Sequence, residues 1–162
     1  MALKQPERRS LAQLRRYEAR MKISSDRTGG SSTVWIHVSA GSIAGHQEWL
    51  TECGLGGRPT QSAWAGCSIM TTEDGQDYNT EYQTPTKYLV YDTWYAVRME
   101  FDPTTAGMRF YVDNELIGSH VPQDAAALLT TTRLRPIIAT LNFDPNTTST
   151  RFVDYVRITP AR

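Results

Sequence analysis

The chain is poor in the residues that build metal and redox sites. It has two cysteines, Cys53 and Cys67, and three widely separated histidines, His37, His46 and His120. No Cys/His pairing and no His-x-x-x-His spacing is present, so a zinc site is not expected. Charge of one sign is also missing. Seventeen basic and seventeen acidic residues cancel, so no global field draws the protein toward nucleic acid or an anionic membrane. Long apolar runs are absent too, the longest small-apolar stretch being 125–129. That excludes a membrane-spanning helix and any direct membrane contact by this segment. The basic N-terminus is not followed by the apolar stretch of a signal peptide. The expectation is therefore either a cytosolic protein or a domain of a longer secreted or anchored parent. Helical periodicity is scarce, confined to a turn or two at 123–129, with Leu11 and Leu14 spaced for one more turn that Ser10 could cap.

What is present is alternation. Over 94–101, Tyr95, Val97, Met99 and Phe101 fall on one face, and Trp94, Ala96, Arg98 and Glu100 on the other. After a Pro- and Gly-containing turn, Met108, Phe110 and Val112 alternate with Arg109, Tyr111 and Asp113. A second turn leads to a third strand. Period two repeated across turns is a meander with one buried face. Further strands are predicted at 17–24, 33–39, 47–54, 63–71, 78–83, 134–143 and 151–159, separated by turn clusters such as Gly29-Gly30, Gly56-Gly57-Arg58-Pro59 and Asp144-Pro145-Asn146. Many short strands in 162 residues indicate one two-sheet sandwich or barrel. Residues 1–16, with a local basic excess, are expected to be a lead-in or linker, and 17–162 the single β-sandwich domain.

The 94–121 stretch also resembles a known family. A Trp-led strand, an Asp-rich turn, an aromatic-Val-Asp-Asn strand end and a strand closing in Gly-Ser are similar to the concanavalin A-like lectin/glucanase superfamily, in its laminin G-like branch. The last strand adds to the resemblance with Val153, Asp154, Val156 and Ile158. Val153 and Val156 break strict alternation, which a bulge would reconcile. The resemblance implies an all-β, concanavalin A-like jelly-roll sandwich of two antiparallel sheets. That fold hosts lectins, glucanases, peptidases and adhesion modules, so it leaves function open.

Cys53 and Cys67 flank the Gly/Pro loop at the ends of candidate neighbouring strands and form a disulfide candidate. Such a short loop would be stabilised by roughly 3 kcal/mol in the chain-entropy account.

For catalysis, the resemblance implies a strand motif Glu-x-Asp-x-x-Glu in family 16 glycoside hydrolases, whose carboxylates act as a pair. That motif is absent. Glu48 and Glu52 share a face but have no Asp between them, and Glu73 to Asp77 span a Gly75 turn expected to be solvated. No Gly-x-Ser-x-Gly elbow occurs. No catalytic residue is assigned, and the protein is read as more a binder than an enzyme.

Binding is better supported. Sugars stack on aromatic faces and bond to amide, carboxylate and guanidinium groups. Trp49, Trp64, Tyr78 and Tyr82 lie in a polar middle segment with His46, Glu52, Gln61, Asn79, Glu81 and Gln83, whereas Trp35 and Trp94 are weaker candidates. The expected site has Trp49 or Trp64 as platform and His46, Glu52, Tyr82 and Arg98 as polar contacts. No metal and no cofactor is assigned; calcium, common in the superfamily, has candidate loop oxygens at Asp102, Asp144, Asn146 and Asp154, which turn formation explains equally. The expected function is a non-catalytic, carbohydrate-binding recognition module of a larger bacterial sensory or surface protein. Its ligand would be a glycan or a protein, on the extracellular or periplasmic side, with the cytoplasm as the alternative. The competing expectations are a structural or protein-interaction sandwich and a divergent glycoside hydrolase.

Overall fold

A computed structural model of the protein describes residues 8–160. Eleven strands follow one short 3-10 turn, Leu11–Leu14: β1 (Arg16–Thr28), β2 (Ser32–Ala40), β3 (Glu48–Gly57), β4 (Ala63–Thr72), β5 (Asn79–Gln83), β6 (Lys87–Leu89), β7 (Tyr95–Phe101), β8 (Met108–Val112), β9 (Glu115–His120), β10 (Arg135–Asn142) and β11 (Thr148–Thr159). The helix α1, Ala125–Thr130, separates β9 from β10. One sheet has the order β11-β1-β7-β8-β9, and the other runs β10-β2-β3-β4-β5 with β6 also paired to β4. Every strand pairing is antiparallel. The result is a jelly-roll sandwich of two antiparallel sheets, with the short strand β6 unanticipated by sequence.

Alternation decides which side chains fill the space between the sheets. Tyr17, Ala19, Met21 and Ile23 point inward from β1, Val34, Ile36 and Val38 from β2, and Val97, Met99 and Phe101 from β7. Met108, Phe110 and Val112 complete this core from β8. Tyr95, expected inside with them, is only partly buried, and its hydroxyl accepts the Val90 N–H at 3.0 Å. The β8–β9 hairpin turns on Asp113 and Asn114, both left-handed (φ 50° and 67°), as a two-residue turn matched to strand twist requires.

Two segments lie at the ends of the chain's path through the sandwich. The lead-in begins the fold: Leu11 and Leu14 are buried in the core, Arg9 forms a bridge to Leu134, and Ser10 and Gln13 make a reciprocal capping box. Residues 1–7 lie outside the described residues. In β11, the register against β1 shifts between Arg20 and Met21, which leaves Asp154 as an extra residue. This bulge puts Val153 and Val156 opposite Met21 and Ala19, on one face despite their odd spacing.

Cys53 and Cys67 are direct cross-strand partners on β3 and β4 and form a disulfide, with Cα atoms 4.0 Å apart. Both face the core. The pairing stitches the centre of the six-stranded sheet at the point from which its outer face is built.

Candidate functional site

That outer face is ordered by strand register into rows running across the sheet. Leu141, Thr33, Gly56, Trp64 and Tyr88 form one row. The next holds Ala139, Trp35, Gly54 and Gly66. A third row, Ile137, His37, Glu52, Ser68 and Gln83, carries polar side chains on four consecutive strands. Beyond it stand Arg135, Ser39, Leu50 and Met70.

The glycines shape this surface. A Cβ on Gly56 would collide with the Trp64 ring, and one on Gly54 with the Cβ of Trp35. The bare Gly56 makes room for the Trp64 indole on the sheet, and the bare Gly54 for Trp35. Gly66 is different: a Cβ there would meet only the Trp64 ring, at 3.7 Å. It is therefore open floor. Beside this floor lies a depression of about 550 Å³ lined by Trp35, His37, Leu50, Glu52, Trp64 and Met70, with Tyr78, Leu141 and Phe143 on its rim. A smaller recess of about 80 Å³ continues past Gly54 and Gly66 to Ser68 and Gln83. Tyr78, Leu141 and Phe143 are exposed to 40%, 43% and 59%, so the depression is walled by apolar surface that water contacts.

The polar groups are few and directed. The Ser68 hydroxyl donates to Glu52 Oε1 at 3.2 Å. The Tyr78 hydroxyl donates to Glu48 Oε2 at 2.6 Å. Burial pushes the Glu52 carboxyl above its ordinary range, against the Ser68 hydrogen bond. The bond to Glu48, with burial added, moves the Tyr78 phenol up to about 12. Burial holds the His37 imidazole below its usual value, so it is neutral at neutral pH, although Glu48 acts in the opposite direction. Chemically, the site offers ring faces, one partly desolvated carboxylate and a line of hydrogen-bonding side chains.

The residues expected from sequence are dispersed. Glu52 and Trp64 are on this face. Trp49 is not: it shares the inward parity of Thr51, Cys53 and Leu55, is 0% exposed, and cannot present a ring to a ligand. His46 sits at the sandwich edge, with Nδ1 2.5 Å from Glu73 and Nε2 3.2 Å from Asp124. Tyr82 points between the sheets, stacked 4.7 Å from the His120 ring and 6.0 Å from Phe110. Arg98 is on the outer face of the other sheet, where Nη1 donates to Asn114 Oδ1 at 2.6 Å and the guanidinium lies 4.0 Å over Tyr111. Sequence reasoning undervalued Trp35 and His37. Their signal was parity, since they alternate with the buried Val34, Ile36 and Val38.

Of the four residues with candidate loop oxygens, Asp102 and Asp144 take part in turns, while Asp154 lies in β11, where it accepts from Arg20 Nη1 at 3.2 Å. Asp102 accepts the Thr104 N–H at 2.8 Å and Asp144 the Asn146 N–H at 2.8 Å. Among the described residues, no group of three or more His, Cys, Asp or Glu side chains is placed to hold a metal ion.

No protein-family profile and no curated protein matches this sequence. Solved structures do match. Alginate lyase PA1167 from Pseudomonas aeruginosa aligns with a TM-score of 0.66 at 11% identity, over 96% of this chain and 68% of its own. The Crh5 transglycosylase in complex with NAG gives 0.58 at 12% identity, over 92% and 64%. A structure reported with the endo-acting O-glycanases that prominent members of the human gut microbiota express to initiate mucin breakdown gives 0.57 at 16%, over 90% and 56%. The fold is concanavalin A-like. At these identities the likeness extends to the fold alone, and the chain spans from 56% to 68% of the length of the three structures.

Proposed function

We propose that this protein is a carbohydrate-recognition module that binds glycan on the outer face of the six-stranded sheet. The observation that carries the reading is the depression with its adjoining glycine-lined recess, set with Trp35 and Trp64 and with the His37-Glu52-Ser68-Gln83 row. Pyranose C–H faces stack on indole rings, and the polar row is spaced to bond the hydroxyls at the ring edge. The glycan-related names of the three similar structures agree with this reading. A non-catalytic role within a larger surface or sensory protein, outside the cytoplasm, completes the proposal. The cross-strand disulfide fits an oxidising compartment.

A glycan array on the isolated domain tests this directly. Trp64→Ala should weaken binding to any retained glycan by at least about tenfold, equivalent to about 1.4 kcal/mol. Its melting temperature should stay within a few degrees, because Trp64 lies on the sheet rather than in the core. Retained binding in both Trp35→Ala and Trp64→Ala would place the site elsewhere.

A second reading, a divergent glycoside hydrolase, is favoured by one observation. Glu48 and Glu52 lie on the same face of β3, and the Tyr78 phenol on Glu48 feels both carboxylates. Release of reducing ends from a bound oligosaccharide, lost in both Glu48→Gln and Glu52→Gln, would establish it.

A further inference from the structure

The depression holds carboxylate and aromatic groups, and no lysine or arginine lines it among the described residues. Its ionisable members are Glu52, the neutral His37 and Tyr78, with Glu48 held behind Tyr78. Arg135, on the same face by register, stands a row further along, at the β10 edge and two strands away from Glu52. The other outer face, by contrast, carries Arg16, Arg20, Lys22, Arg98, Arg109 and Arg157 among its outward residues. Neutrality of the whole chain thus conceals a site with one sign of charge.

From this we infer that the glycan this site prefers carries a free amine: an oligosaccharide containing glucosamine-type residues with an ammonium group, bound with the ammonium against Glu52 and the ring on Trp64 or Trp35. The inference rests on the carbohydrate reading and specifies its ligand. Three features of the site converge on it. Indole faces attract cations as well as C–H surfaces. Glu52 accepts the Ser68 hydroxyl on Oε1, which leaves acceptor capacity on the carboxylate. Burial also disfavours the charged carboxylate, and an ammonium set against it would offset that cost. A uronate or sulfated glycan would instead bring its anion into an apolar site beside Glu52, with no lining cation to meet it.

Calorimetric titration of the whole chain with a glucosamine oligosaccharide, and with the same oligosaccharide N-acetylated, tests the inference. The free-amine ligand should bind about tenfold more tightly at low salt, and the gap should shrink as ionic strength rises. Glu52→Gln, nearly isosteric, should bring the two ligands to equal affinity, and Trp64→Ala should weaken both. Equal binding of the two ligands, or a gap that survives Glu52→Gln in a protein of unchanged melting temperature, overturns the inference. Trp64-dependent binding of the N-acetylated ligand would then leave the carbohydrate reading standing. Absence of binding by both of these and by every glycan on the array overturns both.

Discussion

Individual residues on this sandwich divide into those that hold it and those that face the site. Phe110 is 0% exposed in the core. Its replacement by Ala is expected to cost about 3–5 kcal/mol, read as a lowered denaturant midpoint with an unchanged slope. Glu52 and His37, paired across β2 and β3, should give opposite pH signatures. The Glu52 carboxyl is raised above its ordinary 4.5, so the fold favours its neutral form. The stability it contributes is complete below about pH 4.5 and is lost as pH rises through the folded value. Glu52→Gln should therefore gain on the parent protein as pH rises from about 4.5 through the folded value. His37 is lowered from 6.5, so its contribution is present above that value and is lost as pH falls through the folded one. His37→Gln should flatten the decline below about pH 6.5. Melting curves of the three proteins across that range check both signs.

The element that organises the site is the β3–β4 pair. Its inward faces carry the Cys53–Cys67 bridge and its outward faces carry Gly54, Gly56 and Gly66. Reduction of the bridge should lower stability by roughly 3 kcal/mol, measured as the difference between denaturation midpoints with and without reductant. Gly66 offers a sharper test of the groove. A Cβ there meets only the Trp64 ring, at 3.7 Å, so Gly66→Val should fold normally, since β-branched residues suit strands. It should also occupy the floor and abolish glycan binding. Binding that persists in folded Gly66→Val would move the ligand off this row.

At the scale of the molecule, one core is shared by both sheets. Leu11 and Leu14 from the first turn, Leu128 from α1 and the strands of both sheets join a single buried cluster. Unfolding is accordingly expected to be one cooperative transition. Fluorescence from the buried Trp49 and circular dichroism from the strands should give coincident curves. Separate midpoints would mean that the sheets come apart independently. The two outer faces, in contrast, differ in character: an acidic, aromatic depression on one sheet and a surface rich in arginine on the other.

Strand positions, the sandwich architecture and the core of β7 and β8 were legible in the sequence, because period-two alternation is a local signal and a buried face leaves it in every strand. The pairing of Cys53 with Cys67 was legible as a candidate, and the bulge at Asp154 as a break in alternation. The proposed site was only half legible. Glu52 and Trp64 share a polar, aromatic segment with Trp49, His46 and Tyr82, and Arg98 has outward parity on β7, yet the fold sends these last four to the core, the edge, the space between the sheets and the opposite sheet. Composition within a segment does not say which face a residue takes, and parity within one strand does not say which residues of another strand stand beside it. That depends on cross-strand register, a property of paired chains. It is the register of β2, β3, β4 and β5 that sets His37, Glu52, Ser68 and Gln83 in one row, and only the tertiary structure could supply it.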